Sequence, residues 1–275
     1  MVLRISMKIS KALRDYIKKD FKKGKVVCLT GAGISSESGI PTFRGKGGLW
    51  EKYDPEVYAY NEGLVSIFRT HPQSLIDFVV DFYSLLLEAK ANPAHLALSV
   101  LEKENIISSI ITQNIDNLHQ EAGSRNVIEL HGNAYRIRCM GCLKTITLEK
   151  DRLKEMVNLL KKYRDSRMQL LKIFSRYFPR CSCGLRYRID IVLFGEMLPQ
   201  DELSRAYKKL DDCNTLLLVG SSLVIYPAAS LPLYAKKRGA KLVEINSEPS
   251  ALSHLCDYEI QGRASEVLPE ILSIL

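Results

Sequence analysis

The chain has 275 residues, enough for one large domain with a smaller one inserted. Its composition, 46% hydrophobic and 25% charged, is that of a globular protein and excludes general disorder. The net charge of +8 is uneven: residues 1–25 hold 9 basic and 2 acidic residues, and residues 135–188 hold 15 and 4, so the rest of the chain is acidic. The first ten residues contain no apolar run of signal-peptide length, which predicts a cytoplasmic protein.

Six short apolar runs rich in β-branched residues predict strands. In chain order they are 25–30, 106–112, 127–130, 189–194, 215–219 and 241–245. Segments with helical spacing lie between many of them, as in 93–104 and 223–238. Buried strands that alternate with helices indicate the α/β class, a parallel sheet covered on both faces. In such sheets ligands bind at the carboxyl ends of the strands.

Residues 213–235 contain no charged side chain and are long enough to cross a bilayer. Gly220, Pro227 and Pro232 interrupt this stretch, and they favour a strand, a turn and a helix. We therefore expect no membrane association.

Two segments break the alternation of strands and helices. Residues 45–87 begin with a glycine-rich loop and continue as an amphipathic helical stretch, and residues 135–188 combine four cysteines with a long helical pattern. We expect both to be insertions that form a smaller domain, the first helical and the second zinc-binding. The main sheet domain would then comprise residues 1–44, 88–134 and 189–275.

The first predicted strand runs directly into the turn Thr30-Gly31-Ala32-Gly33-Ile34-Ser35-Ser36. Glycines at such a turn let the backbone approach a phosphate, which the N-terminus of a following helix stabilises. The dehydrogenase fingerprint is incomplete, because Ser36 stands at its third glycine and no acid-terminated second strand follows. In the loop that follows, Phe43 could exclude water and Arg44 could pair with a pyrophosphate. A tight connection, a core phenylalanine and a solvated arginine are the alternatives.

Two later strand ends carry polar side chains. The run 112–119 reads Thr-Gln-Asn-Ile-Asp-Asn-Leu-His, a set of amides and one carboxylate that could bond ribose hydroxyls and a carboxamide. Caps and turns prefer the same residue types. The run 129–132 places His131 after the next strand, where it could act as a general base or serve only the structure.

Four of the seven cysteines are closely paired, as Cys139-x-x-Cys142 and Cys181-x-Cys183. Four thiolates are the ligand set of a tetrahedral structural zinc site with no open position. A zinc site fits a cytoplasmic chain better than disulfides do. The other three cysteines, Cys28, Cys213 and Cys256, are expected in the core.

Together these motifs resemble the sirtuins, the NAD-dependent protein-lysine deacylases. The stretches that carry the resemblance are, besides the two cysteine pairs, GAGISSESGIPTFRGKGGLW (31–50), TQNIDNLHQEAG (112–123), ELHG (129–132), FGEMLP (194–199), VGSSL (219–223) and INSEP (245–249). They follow the family's order and span nearly the whole chain.

The resemblance implies a Rossmann-type domain joined to a small zinc and helical domain, with NAD and acyl-lysine meeting between them. It assigns catalysis to His131 and Asn114, and one structural zinc ion to the four paired cysteines. It assigns NAD binding to Gly31, Ala32, Gly33, Ile34, Phe43, Arg44, Gln113, Asn114, Ile115, Asp116, Gly220, Ser221, Ser222, Asn246, Ser247, Glu248 and Ala264. Residues Val192, Leu193, Phe194 and Gly195 would pair with the backbone of the substrate as an added strand.

The implied reaction cleaves the bond between nicotinamide and ribose and transfers the acyl group from lysine to ADP-ribose. His131 would deprotonate a ribose hydroxyl, and Phe43 would exclude water. Thr42 stands where many members of the family have aspartate. Val79 and Phe82 stand where members that remove acidic acyl groups have Tyr-x-x-Arg, so acetyl and longer apolar groups are the expected substrates.

Three alternatives stay open at this level: a mono-ADP-ribosyltransferase on the same scaffold, a non-catalytic chromatin-associated zinc protein that senses NAD, and a dehydrogenase. The expected partner is an acetylated-lysine protein, in chromatin or bound to nucleic acid. The basic segments 1–25 and 135–188 predict a sequence-independent contact with nucleic acid. A solvated helix face is the alternative for the second of them.

Overall fold

The computed structural model describes residues 9–41 and 49–275. Within these ranges the strands are β1 (Val26–Thr30), β2 (Ile107–Thr112), β3 (Val127–Glu129), β4 (Gly132–Cys139), β5 (Thr145–Thr147), β6 (Tyr187–Ile191), β7 (Thr215–Val219), β8 (Lys241–Asn246) and β9 (Tyr258–Gln261). The helices are α1 (Lys11–Asp20), α2 (Leu49–Lys52), α3 (Pro55–Tyr58), α4 (Asn61–Thr70), α5 (Pro72–Glu88), α6 (Pro93–Lys103), α7 (Leu118–Glu121), α8 (Lys150–Lys162), α9 (Arg167–Tyr177), α10 (Gln200–Asp211), α11 (Leu231–Lys237) and α12 (Ala264–Ile274).

The larger sheet has six strands in the order β3-β2-β1-β7-β8-β9, and all neighbours are parallel. Strands β1 and β7 are buried along their whole length, as expected of a sheet covered on both faces. One apolar core lies against α1, α6 and α12 and the other against α10 and α11. The predicted α/β class is confirmed.

The strand order reverses between β1 and β7. From β1 the chain proceeds outward to β2 and β3, and it then returns to build β7, β8 and β9 on the other side. A reversal of this kind opens a crevice at the carboxyl ends of the two central strands. The glycine turn after β1 lies at this crevice.

The structure differs from the strand predictions in two regions. The apolar run 189–194 belongs to a second, antiparallel sheet of order β5-β4-β6, because it pairs with β4 and ends as a strand at Ile191. Strand β9 has no counterpart among the predicted runs. It is an edge strand in which only Ile260 is buried, so its sequence lacks a continuous apolar pattern.

The smaller sheet shares a third apolar core with α5, α8 and α9. Both inserted segments therefore pack into one unit, and the single helical pattern expected after the first cysteine pair is split into α8 and α9. The antiparallel sheet begins at Gly132 and ends at Ile191. The division of the chain into domains at residues 44/45, 87/88, 134/135 and 188/189 remains our proposal.

The uncharged stretch 213–235 is divided between β7, a loop and the start of α11. Only residues 231–237 of the predicted helix 223–238 form an α-helix, after the short 3₁₀ turn Ala228–Ser230. None of the helices in the described ranges has the length and apolarity that a bilayer crossing requires.

Candidate active site

The turns after β1 and β7 pack backbone to backbone. The Gly31 N–H donates to the Val219 carbonyl at 3.0 Å, and the Gly33 N–H donates to the Gly220 carbonyl at 2.8 Å. A Cβ atom on Gly33 would lie 2.7 Å from the Gly220 Cα, and Gly220 itself has a φ of +59°. These glycines are therefore required by the contact between the two turns. Short 3₁₀ turns, Ala32–Ile34 and Ser36–Ser38, follow in place of the expected α-helix.

Side chains after β2, β7 and β8 meet at the same edge. The Gln113 amide donates to Ser221 Oγ at 2.9 Å, and the Asn246 amide donates to the Ser221 carbonyl at 3.1 Å. Ser221 is buried, whereas Ser222, Ser247 and Glu248 are exposed. The end of β2 lies more than 100 residues before the ends of β7 and β8 in the sequence, and the sheet brings Gln113, Ser221 and Asn246 to one edge.

Asn114 and Asp116 form a buried polar cluster around Ser35. The Asn114 Nδ2 donates to the Gly31 carbonyl at 3.1 Å and to Ser35 Oγ at 3.0 Å. Ser35 Oγ in turn donates to Asp116 Oδ2 at 2.7 Å, and the Leu118 N–H donates to the other carboxylate oxygen at 3.0 Å. Burial raises the pKa of Asp116, although the Ser35 hydroxyl opposes this shift.

His131 lies half-buried between β3 and β4. Its Nδ1 is 2.8 Å from the Gln113 carbonyl, and a carbonyl oxygen only accepts, so Nδ1 carries the proton. Nε2 is then the bare nitrogen of the neutral ring. Burial lowers the pKa of His131, with the Gln113 carbonyl acting in the opposite sense. A neutral imidazole with a free Nε2 is the form that a general base requires.

The structure places three of the other predicted residues away from the exposed edge. Ile34 and Ala264 are buried in the core that faces α6 and α12. Ile115 packs partly buried against the core of the smaller unit, and its carbonyl accepts from the Ala134 N–H at 2.9 Å. Phe43 and Arg44 lie outside the described residues.

The segment after β6 is hydrogen-bonded to the residue before β4 and to the residue after α3. The Val192 N–H donates to the His131 carbonyl at 3.0 Å, and the Phe194 N–H donates to the Ala59 carbonyl at 2.9 Å. Glu196 accepts from the Leu193 N–H at 3.0 Å and pairs with Arg188 through two bonds of 2.6 Å. The predicted peptide-binding segment Val192–Gly195 is therefore adjacent to the predicted base.

Sequence reasoning missed an ion-pair network beside His131. Arg136 Nη1 lies 2.8 Å from Glu129 Oε2, and its Nε lies 2.5 Å from Asp190 Oδ2. Arg138 also pairs with Asp190, at 2.6 Å. The two carboxylates are buried, so these pairs link the end of β3 to the smaller sheet. Alternating arginines on β4 are the signal that could have revealed the network.

The four paired cysteines converge, as their spacing predicted. All four Sγ atoms lie within 4.8 Å of one another, with Cys139 and Cys183 at 3.4 Å and Cys142 and Cys181 at 3.6 Å. Tetrahedral zinc with Zn–S bonds of about 2.3 Å needs sulfur atoms about 3.8 Å apart, so the cluster fits this ion. The Cys183 N–H, followed by the Tyr187 hydroxyl, lowers the pKa of Cys181 to about 5. Of the remaining cysteines, Cys28 and Cys213 are buried and Cys256 is half-buried.

Comparison with known proteins agrees with the site. A model of the Sir2 family matches residues 31–227. An NAD-dependent protein deacylase of Pyrococcus furiosus is 44% identical over 253 residues, which cover 91% of this chain and 93% of the relative. A Sir2 homologue solved with NAD has a TM-score of 0.73 at 36% identity and covers 93% of this chain and 92% of its own. A Sir2 solved with a deacetylated p53 peptide and 3'-O-acetyl-ADP-ribose has a TM-score of 0.74 at 35% identity, with 96% and 98% covered.

These matches, together with the doubly covered parallel sheet and the cysteine cluster, define an NAD-dependent class of protein-modifying enzyme. The chain belongs to the Sir2 family. It is an NAD-dependent protein deacylase with a cysteine cluster suited to structural zinc, so the sirtuin resemblance of its motifs is confirmed.

Proposed function

We propose that the edge formed by the ends of β1, β2, β7 and β8 binds NAD, and that His131 is the general base of the acyl transfer. The observation that carries this proposal is the 2.8 Å contact between His131 Nδ1 and the Gln113 carbonyl, which leaves Nε2 bare. Gln113 also donates to Ser221 Oγ, so one residue contacts both the proposed base and the edge proposed to bind NAD. Nicotinamide would leave the ribose carbon, and the acyl oxygen of the lysine would take its place. A ribose hydroxyl whose proton His131 removes would then attack the acyl carbon. The lysine would leave as the free amine, and addition of water would leave the acyl group on ADP-ribose.

Asn114 would act at the nicotinamide and ribose end through its amide oxygen. An amide has two hydrogens, and Asn114 donates both within the chain, to Gly31 and to Ser35. What the side chain still offers to a ligand is Oδ1, which can accept from a ribose hydroxyl or a carboxamide. The buried carboxyl of Asp116 supports this arrangement through Ser35.

The test of this assignment is nicotinamide exchange, which reports the step before the base acts. Asn114→Ala removes both the acceptor and the two donated bonds, so we expect it to lose exchange and deacylation together. The measurement is incorporation of labelled nicotinamide into NAD in the presence of an acetyl-lysine peptide. Exchange at the wild-type rate would remove Asn114 from the proposed site.

The substrate would be a protein that carries an acylated lysine, added as a strand along Val192–Gly195. The N–H groups of Val192, Leu193 and Phe194 are all bonded within the chain. The substrate backbone would therefore donate its own N–H groups to carbonyl oxygens of this segment. Recognition through the backbone gives affinity with little demand on the flanking sequence.

The acyl preference should follow from Val79 and Phe82, which are partly buried against the core of the smaller unit. Neither side chain can pair with a carboxylate, and burying an unpaired carboxylate costs several kcal/mol. We expect kcat/KM for an acetyl peptide to exceed that for the matched succinyl peptide roughly 100-fold. Introducing Val79→Tyr with Phe82→Arg should narrow this ratio. Equal rates for the two acyl groups in the wild type would contradict the assignment.

Some cations of the basic segment 135–188 are paired with carboxylates, so its exposed positive surface is smaller than its net charge suggests. Two cations of the run 161–176 are paired, Arg164 in the turn between α8 and α9 with Asp77 at 2.6 and 2.7 Å, and Arg176 on α9 with Glu155 at 2.9 and 3.0 Å. Exposed cations remain along the same run, namely Lys161, Lys162, Arg167 and Lys172. We propose that they make the sequence-independent contact with nucleic acid.

Changing Lys161, Arg167 and Lys172 together to glutamate should weaken binding to duplex DNA and flatten its salt dependence, because fewer counterions are released. Turnover of a short free peptide should not change. The matched control makes the same change to glutamate on α10 and α11, beside the larger sheet, at the exposed Lys208, Lys209 and Lys237. If the wild type binds no DNA at about 50 mM salt, the basic run is only solvated surface.

A further inference from the structure

His119 is a buried histidine for which the reaction above has no role. It belongs to α7, is 1% exposed, and burial holds its pKa well below the ordinary value, so the ring is neutral. Its Nε2 lies 2.9 Å from Thr30 Oγ1, whereas Nδ1 has no hydrogen-bond partner among the described residues. A buried nitrogen without a partner is unusual and calls for an explanation.

The directions of the neighbouring hydrogen bonds determine which nitrogen of the His119 ring carries the hydrogen. The Asn114 N–H donates to Thr112 Oγ1 at 3.0 Å, and Thr30 Oγ1 donates to the same oxygen at 2.9 Å. Because Thr30 has only one hydroxyl proton, its oxygen must accept from His119, and Nε2 must carry the hydrogen. The neutral ring then has no hydrogen on Nδ1, the nitrogen that lacks a partner among the described residues.

Sheet register brings the two threonines together. Thr30 ends β1 and Thr112 ends β2, and the parallel pairing places them opposite each other. Both are buried, so no water competes with the bond between their hydroxyls. The result is a continuous path from His119 through Thr30 and Thr112 to the backbone of Asn114.

We propose that His119, Thr30 and Thr112 are positioning residues that fix the backbone of Asn114 at the site. Gly31 and Ser35 hold the side-chain amide of Asn114, and the threonine pair holds its N–H. Because the side-chain amide and the backbone N–H of Asn114 are both held, its Oδ1 keeps one position toward the nicotinamide and ribose end of NAD. This inference rests on the proposed role of Asn114.

The test uses Thr112→Val, which removes the hydroxyl and keeps the branched shape suited to a strand. Nicotinamide exchange should fall roughly tenfold or more, since small misplacements of a reacting group are costly in rate. The KM for the acyl peptide should stay unchanged, because the peptide segment is elsewhere. Thr112→Ser should restore exchange. Ser109→Ala is the control, because it removes a buried hydroxyl on the same strand that bonds the Asn126 carbonyl, away from the site.

Coupling separates positioning from general loss of stability. Thr30→Val alone should also slow exchange, and Thr30→Val with Thr112→Val should slow it no more than the worse single change, because both break one path. Rates are compared per folded molecule, with folding checked by circular dichroism. Wild-type exchange in Thr112→Val, or a loss that Ser109→Ala reproduces, would overturn the proposal. Asn114→Ala is measured alongside, and wild-type exchange in that variant would instead remove the function proposed for Asn114.

Discussion

Replacing His131 by alanine should slow deacylation by roughly 10²–10⁴-fold, the usual contribution of a general base. Nicotinamide exchange should persist, because the base acts only after nicotinamide has left. The structural reason is the tautomer: the Gln113 carbonyl holds the proton on Nδ1 and leaves Nε2 free to accept. Single-turnover measurements of both rates on an acetyl-lysine peptide separate the two steps.

The matched control for this variant is His254→Ala, which changes an exposed histidine. It should leave both rates at the wild-type level. Deacylation at the wild-type rate by His131→Ala, in a protein that unfolds at the wild-type temperature, would contradict the role of the base. Loss of exchange together with deacylation would place His131 in the first step instead.

Removing the metal from the four-cysteine cluster should unfold the smaller sheet. The ligands come from two hairpin ends that the chain does not hold together before folding, so metal binding contributes about 10–16 kcal/mol of folding free energy at such sites. Chelation should release one zinc ion per chain and abolish activity, since the same sheet carries the segment next to His131. Atomic emission analysis and circular dichroism measure the two effects.

Cys183→Ser and Cys256→Ser form a matched pair for this prediction. The first removes a ligand and should lower the zinc content, and the second lies outside the cluster and should not. Full activity and an unchanged spectrum after exhaustive chelation would show that the cluster does not hold the fold together. A wild-type protein that purifies without zinc would contradict the assignment of the ion.

The parts of the fold that sequence predicts best are those with a repeated local pattern. The central strands β1 and β7 are buried on both faces, so their residues form continuous apolar runs. The cysteine pairs were also predictable, because ligand spacing is a local property. Strand β9 was missed because an edge strand with one buried residue has no such pattern.

The parts of the site that sequence could not predict depend on pairing between distant segments. Thr30 and Thr112 become neighbours only through the register of β1 and β2. Ser35 has a local signal only as part of a glycine turn, although in the structure it joins Asn114 to Asp116. Similarly, the apolar run 189–194 has the pattern typical of a strand in the main sheet. Only the pairing of β6 with β4 assigns it to the smaller sheet.

We expect the edge formed by the ends of β1, β2, β7 and β8 to transfer an acyl group from lysine to ADP-ribose, with consumption of NAD. The most direct test incubates the protein with NAD and an acetyl-lysine peptide and identifies the products by mass spectrometry. We expect nicotinamide, the deacetylated peptide and O-acetyl-ADP-ribose in equal amounts, and none of them without NAD. A peptide that retains its acetyl group and gains ADP-ribose would identify a mono-ADP-ribosyltransferase and contradict the account, as would formation of NADH.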